Sequence, residues 1–309
     1  MFPPEIAPPG RLLRLAVVLD QRNPPARIGQ VALIAELAGI DMLWTSRAIA
    51  AAAALEPLTP VRQAVALAAQ ATRTIRLGAA TDDSNEAAEL AAGIGARLEL
   101  QTRVFDVHQA ATAIALPPHT SPASSVLPPR DADNEGRLRW ERLGEGTPLW
   151  LEASSMPDLE QAAKTAHGVL LAGELAAQRW DTWRAAVADA CASAGRPPST
   201  LAVAVELPVS IGRTEAEAYA RADLEPLFQI IGHPKDAGIY GTLEQCQERV
   251  IALSHAGVTE LRCIVPNAPD VHDVLAQLTA MVAGSKAALQ PGAARSEPPE
   301  PPSWAAPRA

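Results

Sequence analysis

Apolar residues along this chain follow two rhythms that take turns from one end to the other. Short unbroken apolar runs alternate with longer stretches of helical spacing. The clearest pair is 238–266 (GIYGTLEQCQERVIALSHAGVTELRCIVP). Thr242 stands at an N-cap with Gln245 three residues on, the spacing of a capping box. Leu243, Cys246, Val250, Leu253 and Ala256 then recur at helical spacing, and Gly257 falls where a left-handed C-cap residue belongs. The run 260–266 that follows is too short for a helix and reads as a strand buried on both faces.

The same alternation predicts strands at 12–20, 42–46, 75–80, 147–153, 168–172 and 201–211, giving seven with 260–266. Helices are predicted at 28–38, 60–72, 157–166 and 176–194, and a last one beginning at His272. An eighth strand is placed at 102–108 (TRVFDVH), the least regular of the set. Eight buried parallel strands alternating with helices predict a single (β/α)8 TIM barrel over 11–283, closing around an aliphatic interior. A doubly wound open sheet is the competing architecture, but no G-x-G-x-x-G turn follows any strand.

Three stretches depart from the pattern. Residues 1–10 form a proline-rich lead, 284–309 a Pro/Ala-rich tail expected to be disordered, and 114–146 an irregular rim insertion. Within the insertion, 137–143 (RLRWERL) reads as an edge strand or hairpin arm.

Composition narrows the function. A formal charge of −9 argues against nucleic acid as the main partner. The first residues lack an apolar core for a secretory signal or a membrane span. Cys191, Cys246 and Cys263 fall in predicted helix or strand without C-x-x-C spacing, so buried free thiols in a cytoplasmic protein are expected. The six histidines (108, 119, 167, 233, 255, 272) show no metal-ligand spacing, and no metal is expected. Aromatic residues make up only 4 %, which predicts a core of Ala, Leu and Val with little stacking surface.

Four segments, in order, resemble the luciferase-like monooxygenase family of flavin- or coenzyme F420-dependent TIM-barrel oxidoreductases. They are 35–46 (AELAGIDMLWTS), 56–80 (EPLTPVRQAVALAAQATRTIRLGAA), 148–168 (PLWLEASSMPDLEQAAKTAHG) and the capped helix with its strand at 238–266. The resemblance implies FMN or coenzyme F420 at the C-terminal rim, with hydride transfer or monooxygenation of a small organic substrate. It also implies a homodimer, or a heterodimer with a related barrel. The chain departs from the family's pattern at several rim positions. Ser46-Arg47-Ala48 replaces an Asp-His pair, Glu152-Ala153 replaces a Gly-Gly, and His167-Gly168 replaces an Asp-Gly. These departures motivate the alternative of a catalytically degenerate barrel serving as a structural or regulatory subunit.

The candidate cofactor contacts are Ser46, Arg47, Ala80, Thr81, Ser154 and Ser155. Ser154 and Ser155 precede a helix, where hydroxyls and free N–H groups can cradle a phosphate; the bland alternative is that Ser155 caps the helix. Asp158 lies close enough to repel an anion if it turns inward. Ala80 and Thr81 end a strand of small residues, where the resemblance implies a backbone bulge supporting the cofactor ring. The alternative is an ordinary strand exit beside Asp82 and Asp83. Arg47 has the geometry to hold a carboxylate or phosphate, against pairing with Glu56 or another acid. Asp20 is a weaker candidate base, and no catalytic residue is assigned.

Overall fold

The computed structural model describes residues 13–52, 58–103, 147–172, 180–266 and 271–289. Nine strands are present among them: β1 (Arg14–Val18), β2 (Met42–Trp44), β3 (Arg76–Ala80), β4 (Leu98–Arg103), β5 (Leu149–Ala153), β6 (Gly168–Leu171), β7 (Ala202–Ile211), β8 (Ile239–Gly241) and β9 (Glu260–Ile264). Strands β1 to β7 and β9 are parallel throughout. They close in the order β1-β2-β3-β4-β5-β6-β7-β9 and back to β1, an eight-stranded (β/α)8 TIM barrel. Closure rules out the open doubly wound sheet. The short β8 lies outside the cylinder, paired with the far end of β7.

The helices are α1 (Pro25–Leu37), α2 (Arg47–Ala52), α3 (Val61–Ala71), α4 (Ser84–Ile94), α5 (Met156–Thr165), α6 (Trp180–Ser193), α7 (Glu215–Asp223), α8 (Pro226–Ile231), α9 (Pro234–Ala237), α10 (Leu243–His255) and α11 (Val271–Ala288). α10 begins with the predicted capping box, in which Thr242 and Gln245 exchange hydrogen bonds. It ends in a Schellman turn: Gly257 has φ 98°, and the Val258 N–H returns to the Leu253 carbonyl. α11 runs to Ala288, past the boundary at 284 where the sequence suggested a tail. The lead at 1–10, the insertion at 114–146 with its suggested strand at 137–143, and 290–309 lie outside the described residues.

Two sequence expectations need correction. The fourth strand is Leu98–Arg103, not 102–108, and its register is fixed by Leu77 against Leu98 and Leu100 against Leu149. The segment LELQTR alternates leucine with glutamate and glutamine, so it lacks the continuous apolar run expected of a strand buried on both faces. That alternation follows from the second correction: the barrel interior is not aliphatic. Leu, Val and Ala side chains pack on the outer face of the strands, against the helices. The inner face carries a small cluster of Ala16, Met42, Trp44, Trp150, Leu170 and Ala204, together with buried Glu99, Gln101, Glu260 and Arg262. Two tryptophans, Trp44 and Trp150, stand inside. Gly78 and Gly168 make room for them, because a Cβ at either glycine would overlap the ring of Trp44 or Trp150 respectively.

Candidate functional site

The interior builds upward as a polar ladder. At the N-terminal end, Glu99 accepts hydrogen bonds from Arg14 (3.0 Å) and the Trp150 indole (2.6 Å), and pairs with Arg76 at 2.8 Å. Burial works to raise the Glu99 carboxyl, but Arg14, Arg76 and Trp150 together hold it below the usual carboxylate range. One level up, the Arg262 guanidinium lies against both indoles of a T-shaped pair, 3.5 Å from the Trp44 ring centroid and 4.9 Å from that of Trp150. Its Nε donates to Glu260 at 2.7 Å and its Nη1 to Gln101, while the Trp44 indole donates to the same Glu260 at 3.0 Å. Arg262 and Glu260 have no solvent exposure, so each charge depends on its partners.

At the C-terminal mouth, where barrel enzymes carry their chemistry, side chains from different strands converge. Arg47, in the first turn of α2, bridges Asp82 beyond β3 and Glu152 on β5. The Gln101 amide also donates to Glu152, at 3.3 Å. Ser46 donates its hydroxyl proton to Glu206 on β7 while its oxygen accepts from the N–H groups of Ala48 (3.1 Å) and Ile49 (3.4 Å). The hydroxyl thereby caps α2 and is aimed across the mouth. Burial pushes the Glu206 carboxyl up and nearby Glu152 adds to that rise, against the lowering pull of Ser46 and Arg262. Asp20 lies at the same end but is engaged by Arg22, which also pairs with Glu225.

The six candidate residues separate into three pairs. Ser46 and Arg47 meet at the mouth with Glu152 and Glu206; Glu56, the partner suggested for Arg47, lies outside the described residues. Ala80 and Thr81 are close by, but their backbone is committed. The Ala80 N–H donates to the Thr45 hydroxyl at 2.9 Å, and Thr81 continues the ladder to the Gln101 carbonyl at 3.0 Å. The Thr81 hydroxyl bonds Glu86 and accepts from the Asp83 N–H ahead of α4. Ser154 and Ser155 sit at the N-terminus of α5 as expected, and there Asp158 has turned inward. Its carboxylate accepts from the Ser154 N–H (3.2 Å), the Ser154 hydroxyl (3.1 Å) and the Ser155 N–H (3.1 Å), while Ser155 caps the helix. Burial raises the Asp158 carboxyl, but the hydrogen bonds of both serines outweigh it and hold it below the ordinary range.

Sequence reasoning passed over Glu206, Gln101, Glu99 and Arg262. Their signal was polar residues alternating with apolar ones in LELQTR and ELRCIVP, and a single glutamate within the apolar run LAVAVELPVSI. Of the histidines, His167 enters β6 at the N-terminal end, where its Nδ1 accepts from the Leu149 N–H at 3.3 Å. His233 caps α9 by accepting from the Lys235 N–H at 3.1 Å. His108 and His119 lie outside the described residues. Among the described residues no group of three ligand-type side chains is placed to hold a metal ion. Among the described residues no helix is long and apolar enough to cross a membrane.

The family profile described as luciferase-like monooxygenase matches residues 116–249. No curated protein sequence matches the chain. Among solved structures, the coenzyme F420 dependent tetrahydromethanopterin reductase from Methanopyrus kandleri is similar with a TM-score of 0.61 at 16% identity, covering 88% of this chain and 99% of that one. A long-chain alkane monooxygenase gives 0.64 at 10% identity, covering 89% and 92%. A riboflavin lyase with modified FMN and substrate riboflavin gives 0.60 at 11% identity, covering 94% of each. At these identities the likeness is one of fold.

Proposed function

We propose, from the premise that this chain is a divergent member of the luciferase-like monooxygenase family, that it is an oxidoreductase acting on a small organic molecule at the C-terminal mouth of its barrel. The observation that carries this reading is the convergence there of Ser46 and Arg47, which follow β2, with Glu152 of β5 and Glu206 of β7. The names of the similar structures support FMN or coenzyme F420 as cofactor. Bound there, such a group supplies hydride transfer or monooxygenation, and the protein supplies orientation and electrostatics.

A phosphate does not fit the N-terminus of α5 as it stands, because Asp158 takes the donors that would receive it. Ser46, Arg47, Ala80 and Thr81 stay in the proposed site as the portion of the rim that faces ring and substrate. Ser154 and Ser155 join it only with Asp158 displaced. A cytoplasmic setting belongs to the same reading, supported by three free, buried cysteines. So does pairing with a second barrel, supported by Leu33 and Leu37, exposed 44% and 78% on α1. Light scattering that gives a monomer mass at every concentration would remove the pairing.

A second reading, a catalytically degenerate barrel serving as a structural or regulatory subunit, is favoured by the occupied α5 terminus and by the bridging of Arg47 to two acids. Titration of the purified protein with FMN and with coenzyme F420, followed by absorbance and fluorescence, separates the two. Saturable binding of either, weakened in Arg47→Ala, is expected for the oxidoreductase. Failure of both to bind at high micromolar concentration defeats it in favour of the second reading.

A further inference from the structure

Four glutamates project into the barrel from its strands, and three of them are matched by guanidinium groups. Glu99 has Arg14 and Arg76, Glu260 has Arg14 and Arg262, and Glu152 has Arg47. Glu206 is different. Among the described residues its one hydrogen-bond partner is the Ser46 hydroxyl, and no ion pair reaches it. It is half-buried at the open end of the cylinder, and among the described residues no hydrogen bond reaches its second carboxyl oxygen.

The geometry points to Glu206 as the ligand-contacting acid of the mouth, its outer carboxyl oxygen placed to hydrogen-bond an uncharged carbonyl or alcohol ligand. The assignment deepens the oxidoreductase reading by naming the class of molecule the mouth receives. Three features support it. Ser46 is locked by its capping bonds to Ala48 and Ile49, so its proton is available to Glu206 and fixes one carboxyl oxygen in place. Among the described residues no ion pair offsets the charge of Glu206. Arg262, opposite it on β9, has its Nε and Nη1 committed to Glu260 and Gln101, and its buried Nη2 makes no hydrogen bond; Glu152 on β5 is a like charge; and Leu170 and Leu171 on the neighbouring β6 carry none. Burial and Glu152 then favour the neutral form more than Ser46 and Arg262 oppose it. The rest of the mouth also disfavours an anion, because Arg22, Arg47 and Arg103 are each held by Asp20, Glu225, Asp82 or Glu152.

The test uses the full chain with its glutamate carboxyl carbons labelled with carbon-13 for NMR. The Glu206 signal is identified by its loss in Glu206→Gln. It should titrate at higher pH than the exposed glutamates, and move further up in Ser46→Ala with recovery in Ser46→Thr. Acetamide, a neutral carbonyl probe, should shift the signal saturably, whereas acetate at the same concentration should not. Followed on the Trp44 indole N–H instead, Glu206→Ala should weaken acetamide by about tenfold, the worth of one hydrogen bond. A Glu206 signal that titrates with or below the exposed glutamates overturns the assignment. So does absence of an acetamide shift, or acetate acting equally well. If neither FMN nor coenzyme F420 binds but the acetamide-selective shift persists, the redox reading fails and the assignment of Glu206 stands. If a cofactor binds and Glu206 titrates low, the reverse holds.

Discussion

Leu261 and Arg262 are neighbours in β9, and neither has any solvent exposure. Leu261 points outward into the aliphatic layer between strands and helices, where packing is non-directional and neighbours of similar volume substitute for one another. Arg262 points inward, against the Trp44 and Trp150 indoles, with acceptors at Glu260 and Gln101. Its place is set by the direction of its bonds and by the charge beneath it. One strand therefore carries a tolerant surface and an exacting one on alternate residues. The exacting surface continues up to the mouth, where Gln101, which holds Arg262, also donates to Glu152. The barrel interior and the candidate site form one polar network, and the outer layer holds the cylinder closed around it.

Volume-conserving swaps should break this pair unevenly. Arg262→Met is expected to lose about 3 kcal/mol, because it strips the buried Glu260 of one counter-charge and leaves Gln101 short of a donor. Leu261→Met should cost about 1 kcal/mol, since only side-chain shape changes. Urea unfolding of both variants measures the gap, and equal losses would mean that the interior is no more exacting than the outer layer. Gly78→Ala comes next, at about 2 kcal/mol, because its new methyl group must displace the Trp44 ring. In a Trp44→Leu background the same change should cost less than half as much, a coupling readable in a double-mutant cycle. A full cost in that background would place the strain somewhere other than the ring.

The tolerant face is what the sequence displays. Apolar runs and cap residues such as Thr242, Gln245 and Gly257 act over a few positions, so seven strands, most helices and the barrel class follow from local pattern. The exacting face depends on partners far apart in the chain. Trp44 needs Glu260, Arg14 needs Glu99, and Ser46 needs Glu206; no window of sequence contains both members of any pair. β4 was misplaced for that reason, since its inward Glu99 and Gln101 look like surface residues until the Arg14 and Arg262 that answer them are known. β8, at three residues, is too short to leave a periodic signal. The site was legible in part. Ser46 and Arg47 stand out as polar residues at a strand's end, and the Ser155–Asp158 spacing announces a cap. That Asp158 would close the cradle, and that Glu206 would lack an ion pair, are facts of three dimensions.

The two faces should also answer acid differently, and here the expected effect is smallest. Glu99 inside and Glu36 outside are both held below the ordinary carboxylate range. For Glu36, burial works upward but is outweighed by the N–H groups of Thr74 and Ile75, the Thr74 hydroxyl and the Arg73 N–H, bringing it to about 2. A depressed carboxyl stabilises the fold above its unfolded pKa of about 4.3 and loses that contribution as pH falls through its folded value. Glu36→Gln should therefore cost about 1 kcal/mol at neutral pH, after allowance for solvent screening, and almost nothing once the pH approaches the folded value of Glu36. High salt should change this cost little, since backbone dipoles rather than opposite charges hold the carboxylate. Glu99→Gln removes the counter-charge of Arg14 and Arg76, and its larger cost should persist to lower salt and higher salt alike because the pair with Arg14 is mostly buried. Stability measured across pH 2 to 7 at two ionic strengths separates them, and a Glu36→Gln cost that stays constant with pH would show that Glu36 acts by packing rather than by charge.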